Sequence, residues 1–191
     1  MPTKKTTKNE NVIVDNIEET SEVTEPVVTK KTKRQINDTD KVAISNNRNW
    51  NLDFISAETD RDITIPASVK HWKKLTVGEI EKQIQLDNGF FVGVDGKGNN
   101  AAIEIEDKEV RDYVFHFENN EGDNVVLLNA ESVRQLLAIE NRKEYERKLN
   151  ELVATKSDKK MIIPLALEVG IDDVASYKIA LIEKISGYKF S

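Results

Sequence analysis

The 191-residue chain sets 28 lysines and arginines against 34 aspartates and glutamates, for a formal charge of −6, and contains no cysteine. That charge argues against a broad basic face for duplex nucleic acid, and the missing cysteines exclude disulfides, thiolate metal sites and cysteine nucleophiles. No apolar run approaches the ~20 residues that span a bilayer, and the opening Met1, Pro2, Thr3, Lys4, Lys5 lacks the apolar segment of a secretory signal, so a soluble protein of intracellular origin is expected.

Residues 1–41 contain no aromatic side chain and no glycine. Such a stretch cannot bury enough apolar area to offset about 1–2 kcal/mol per residue of backbone ordering entropy, so it is expected to be a flexible arm when alone. Its charges fall in blocks, with Lys4, Lys5 and Lys8 basic, 15–25 acidic, and Lys30, Lys31, Lys33 and Arg34 basic again. Blocked charge favours electrostatic docking over folding. Two β-prone islands, Val12 with Ile13 and Val14, and Val27 with Val28, are suited to adding a strand to a neighbour's sheet edge. These valines, Ile13 and the 30–34 basic cluster are the candidate partner-binding residues. The cluster also fits a nuclear-import pattern, and Asn37, Asp38, Thr39 form a glycosylation sequon that, with no secretory signal, is read as chance.

Aromatic density begins with Trp50, Leu52, Phe54 and Ile55, which places the start of a folded body near residue 42. Ile63, Thr64 and Ile65 alternate as a short strand before Pro66. Thr76 with Glu79 forms a capping box, and Leu75 with Ile80 a hydrophobic staple, predicting a helix over 77–86. Gly89 closes it. Residues 90–94 and 101–106 then read as two strands of a central hairpin turning through Asp95, Gly96, Lys97, Gly98, Asn99 and Asn100. Asp107 is a cap for a short helix through Val110 and Val114, and 125–128 is a further strand candidate. Asn129 caps a long helix to about residue 154, whose charged middle, 140–148, is expected to project from the body. A short helix over 165–169 ends at Gly170, and Asp172 or Asp173 caps a last helix closed by Gly187.

Chemical motifs are sparse. The loop from Gly93 to Asn100 lacks the spacing of a phosphate-binding loop, and as a calcium loop it would put Lys97 where a ligand oxygen is required. His71 lies beside Trp72 and His116 between Phe115 and Phe117, positions of core or surface histidines rather than catalytic bases. The sequence nominates no catalytic residue, no cofactor site and no metal site, and an enzyme is not expected.

Two segments resemble known families. Residues 165–171 followed by Lys178 through Ile185 resemble the helix-extended-helix module of the Rho N-terminal and SAP-like families, some of which bind nucleic acid. More broadly, residues 66–111, with Trp72, Lys73, Lys74, Leu75, then Phe91 through Gly98, then Ile103 through Asp107, resemble segments of small virion proteins of tailed bacteriophages. The second resemblance implies a particle component.

The expected architecture is α+β: a small antiparallel sheet with a central hairpin packed against helices, preceded by an extended arm. Its parts are the arm 1–41, the body 42–128, a long helix 129–155 and a C-terminal helical unit 156–191. The expected role is a non-enzymatic structural or assembly protein of a virion put together in the host cytoplasm. It would dock on a capsid or connector scaffold, its partners other virion proteins or copies of itself in a symmetric assembly, with no membrane. The alternative is a nucleic-acid-associated regulator that uses the C-terminal unit and the basic blocks.

Overall fold

Three consecutive buried residues make β1 (Ile44–Asn46) the innermost strand of a computed structural model that describes residues 34–190. It pairs antiparallel with β4 (Ile103–Ile105), Ile44 opposite Ile105 and Asn46 opposite Ile103. Its other edge is covered by residues 69–76. Ile44 and Trp72 exchange both backbone bonds, and the N–H groups of Val42 and Asn46 donate to the carbonyls of Leu75 and Val69. The backbone of the most buried strand is thereby satisfied on both edges, as burial demands.

A second antiparallel pair, β2 (Leu52–Ile55) and β3 (Asp62–Ile65), is a hairpin. Leu52 and Ile65 face the core with Phe54 and Ile63, whereas Asp53 and Thr64 pair on the outer face, the threonine hydroxyl donating to the aspartate at 2.6 Å. The period-2 alternation of apolar residues selects this register.

Helix α1 (Val77–Gln85) starts where its cap predicts, with Thr76 Oγ1 accepting from the Glu79 N–H at 3.0 Å and Leu75 and Ile80 both buried. Two of its unpaired N–H groups find partners in the segment assigned to the arm. Val77 donates to the Asp40 carbonyl at 3.0 Å and Gly78 to that of Asp38 at 2.9 Å. Ile36 packs on the same core. Residues 34–41 therefore belong to the body, which begins at Arg34 rather than near residue 42.

Glu79 does not complete the capping box. Its carboxylate turns into the β2–β3 loop and accepts from Ser56 Oγ at 2.7 Å, the N–H groups of Ala57 (2.9 Å) and Glu58 (3.0 Å), and Gln83 Nε2 at 2.8 Å. Burial alone would raise this carboxyl's pKa, but the four donors outweigh it and hold the pKa below the usual carboxylate range. A group depressed in the folded state adds stability that is full above its unfolded pKa, near 4.3, and is lost as pH falls through the folded value. Glutamine would turn an NH2 group toward two of those donors. E79Q should thus cost about 1–3 kcal/mol at neutral pH, and urea titrations should show a flatter loss of its stability on acidification than in the parent chain; parallel acid limbs would contradict this account.

The expected central hairpin does not form. Asn88 caps a one-turn helix, α2 (Gly89–Val92), its side chain accepting from the Phe90 N–H at 3.1 Å, and β4 pairs with distant β1 instead of with 90–94. The Asp-Gly signal marks a self-contained loop, in which Asp95 accepts from the N–H groups of Lys97 and Asn99 and from the Asn99 side chain. Phe91 is buried edge-on against Phe54. Helix α3 (Lys108–Val114) is capped by Asp107 and buries Val110 and Val114, as its spacing predicts.

After a 3-10 turn (Glu121–Asn124) and an extended stretch, four helices close the chain: α4 (Ala130–Ala138), α5 (Arg142–Leu152), α6 (Lys156–Val169) and α7 (Ser176–Ser186). The predicted single helix is broken at 139–141. Asn141 caps α5, accepting from the Glu144 N–H at 3.1 Å, and such a cap competes with helix continuation. The charged middle does not project, because Tyr145, Leu149 and Leu152 bury one face of α5. Helix α6 is longer than predicted and carries Pro164 inside, while α7 begins after Ala175 with no side-chain cap, so neither Asp172 nor Asp173 plays that part.

The fold is α+β with two hydrophobic clusters, one around β1 and one among α4 to α7, and Trp50 packs on both. A buried ion pair crosses between them: Arg48 Nη2 meets Asp158 Oδ1 at 2.9 Å, with side chains 1% and 0% exposed.

Candidate functional site

Of the predicted partner-binding residues, Val12, Ile13, Val14, Val27, Val28, Lys30, Lys31 and Lys33 lie outside the described residues. Arg34 lies inside, and its guanidinium bonds the Asp107 carboxylate at 3.0 Å across 73 residues. Both groups are partly exposed, so the pair contributes little stability. The pair joins residue 34 to the N-cap of α3.

The histidines do not assemble a catalytic group. His71 Nδ1 and its backbone N–H both reach Glu106, as does Ser45 Oγ. Serine and histidine thus meet the carboxylate rather than each other, and no imidazole stands ready to take the Ser45 proton. Desolvation would raise the Glu106 carboxyl, but Ser45 and His71 hold it below the ordinary range. Among the described residues no three histidine or carboxylate side chains gather as metal ligands, and no helix is long and apolar enough to cross a membrane.

The C-terminal unit spends its key cation internally. Lys178, which opens the nucleic-acid-like helix pattern, is buried, with Nζ donating to the Leu137 carbonyl at 2.6 Å and lying 5.5 Å from the Tyr145 ring centre. A cation at the carbonyl end of α4 is favoured by the helix dipole. Tyr177 donates to the Glu140 carbonyl at 3.4 Å, so α7 clamps the α4–α5 break. Lys178 consequently has no free face for a phosphate.

The strongest candidate site is a groove of about 730 Å³ between residues 125–127 and helices α4 and α5. The stretch that reads as a strand is extended at Val125, with φ −66° and ψ 124°, yet it pairs with no strand among the described residues. One edge is held by the loop 93–100. The Val126 N–H donates to Asn99 Oδ1 at 2.6 Å, and the Val126 carbonyl accepts from the Asn100 N–H at 2.7 Å. Asn100 sits at φ +57°, and its side chain donates to the Leu152 carbonyl at 3.0 Å, which ties this edge to the end of α5. Along an extended chain successive residues present their N–H and C=O to opposite edges. Val125 and Leu127 therefore turn theirs the other way, where the Val125 carbonyl and both Leu127 backbone groups bond no described residue.

Leu136 and Leu152, both buried, floor the groove beside Ile139, and Glu104, Asp123, Glu131 and Glu151 outnumber Arg111 and Lys148 among its charged lining. Among the described residues the groove thus combines an open backbone edge with carboxylates that already pair with Lys108, Arg111, Arg134, Arg147 and Lys148. Only the strand propensity of 125–128 was legible beforehand; the groove needs α4 and α5, which the sequence presents as a single rod. No protein-family model, no curated protein sequence and no solved structure matches this chain.

Proposed function

We propose that the protein is a non-enzymatic assembly component of a tailed-phage particle, the class implied by the resemblance of residues 66–111 to small virion proteins. Its body provides a fixed address and residues 1–33 engage neighbouring subunits. The observation that carries the reading is the junction at Arg34. The Arg34–Asp107 pair and the bonds from α1 to Asp38 and Asp40 give the 33 preceding residues a defined point of departure. Those residues have a composition suited to docking rather than to a core of their own, and fully extended they reach on the order of 110 Å.

The truncation that tests this removes residues 1–33 only. Cutting to residue 40 would strip Ile36, Asp38 and Asp40 from the body and confuse folding with assembly. The shortened chain should keep its urea midpoint but be missing from particles purified from a host producing it in place of the full chain. Incorporation at the normal level would sink the proposal.

A further inference from the structure

We propose that residues 70–74, with Lys41 beside them, form a docking surface for single-stranded nucleic acid, in which a base stacks on Trp72 and the lysines take the flanking phosphates. This goes beyond the assembly role and does not depend on residues 1–33.

The surface is held in place by the innermost strand. Residues 69–76 run along the edge of β1, and the two backbone bonds between Trp72 and Ile44 fix the tryptophan. Its ring is partly exposed and packs on the first cluster, with Lys74 Nζ 5.6 Å from the ring centre. Lys41 joins from the facing strand, its Nζ donating to the Lys74 carbonyl at 2.9 Å. Lys41, Lys70, Lys73 and Lys74 are all exposed, and none meets a carboxylate among the described residues, whereas Lys82, Lys97 and Lys108 do. The acidic groups at its border are engaged elsewhere. Glu106 is taken by Ser45 and His71, and Asp40 accepts from the Asn37 N–H. Glu104 is linked to Lys70 through Asn47, which donates to the glutamate and accepts from the lysine at 2.7 Å.

Charge and shape together select the partner. Ammonium groups around an aromatic face match a chain that alternates phosphates with flat bases. An acidic peptide would satisfy the lysines and leave the ring unmatched. A membrane would call for an apolar side chain free to insert, and Trp72 is held by the core. In a duplex the base faces are already stacked on one another, so the strand must be single.

The test uses the full chain and a labelled oligothymidylate of about twelve nucleotides, followed by fluorescence anisotropy at low salt. Affinity should fall with a log–log salt slope of about −3, from four lysines at about −0.7 each. In W50F chains, where Trp72 is the remaining tryptophan, emission should drop as the base stacks. K73E/K74E should weaken binding by about tenfold or more at an unchanged urea midpoint. K143E/K184E alters net charge equally at exposed positions of α5 and α7 and should lose far less. No binding at low salt, or equal losses in the two double variants, would overturn the proposal. So would unchanged Trp72 emission or equal competition by polyglutamate at the same charge concentration, either of which would make the surface a contact for acidic chains in general.

Discussion

Replacing Asp158 by alanine should cost about 3–5 kcal/mol, the range found when one partner of a buried ion pair is removed. The loss is large because the aspartate serves two ends at once. Its Oδ1 neutralises Arg48, and its Oδ2 accepts from the Thr155 N–H at 2.9 Å while its own N–H donates to Thr155 Oγ1, completing the cap of α6. Burial pulls the Arg48 pKa down, and Asp158 opposes that pull. Without the carboxylate, the guanidinium keeps only carbonyl contacts to Asn47, Asn100 and Ala101, at 3.2–3.4 Å, with Nε already unpartnered. Against a typical total stability of about 5–15 kcal/mol this is a major fraction. R48M should be damaging for the mirror-image reason, leaving a buried anion. The double variant R48M/D158A, which buries no uncompensated charge, should be more stable than the sum of the two losses predicts, a coupling measurable by a urea-denaturation cycle. Strictly additive losses would show that the two charges do not sense each other.

The second large effect is expected at Gly93. Its backbone sits at φ +66° and ψ −142°, and a Cβ there would lie 1.9 Å from the Asn99 carbonyl oxygen. That oxygen is held in place by the Val94 N–H at 2.8 Å, the bond that closes the neck of the loop. G93A must therefore adopt a strained conformation, at about 1–3 kcal/mol, and also open the neck, losing a hydrogen bond of about 0.5–1.5 kcal/mol. Gly96 provides the comparison within the same loop, because it too has positive φ, at +76°, but open space around its Cβ. Thermal melts should place G93A well below G96A, and equal midpoints would refute the steric account. Because Asn99 and Asn100 also grip Val126, G93A should loosen that hold as well.

What the sequence made readable was local. The caps at Thr76, Asp107 and Asn129, and the Leu75–Ile80 staple, depend on side chains a few residues apart, and the structure places them as read. Features decided at a distance were not legible. β4 looked like half of a hairpin because its true partner, β1, lies some sixty residues upstream, and the Asp95 carboxylate folds the turn signal into a loop of its own. The break between α4 and α5 is secured by Tyr177 and Lys178, far along the chain. Arg48 and Asp158 are 110 residues apart with nothing in either neighbourhood to announce the other. The composition that marked the arm ended it too late for the same reason. Asp38 and Asp40 act through backbone carbonyls, which carry no residue signature.

The attachment at the N-terminal border also determines how the molecule bears tension. A tug applied to residue 34 falls first on the part-exposed Arg34–Asp107 pair, next on the turn in which Asn37 and Asp40 bond each other, and then on the two carbonyls held by α1. Weak, solvated contacts give way at low cost before buried ones do. Such a pull would peel this short hem, one stitch at a time, before it reached Val42 and the strand around which the first cluster is built.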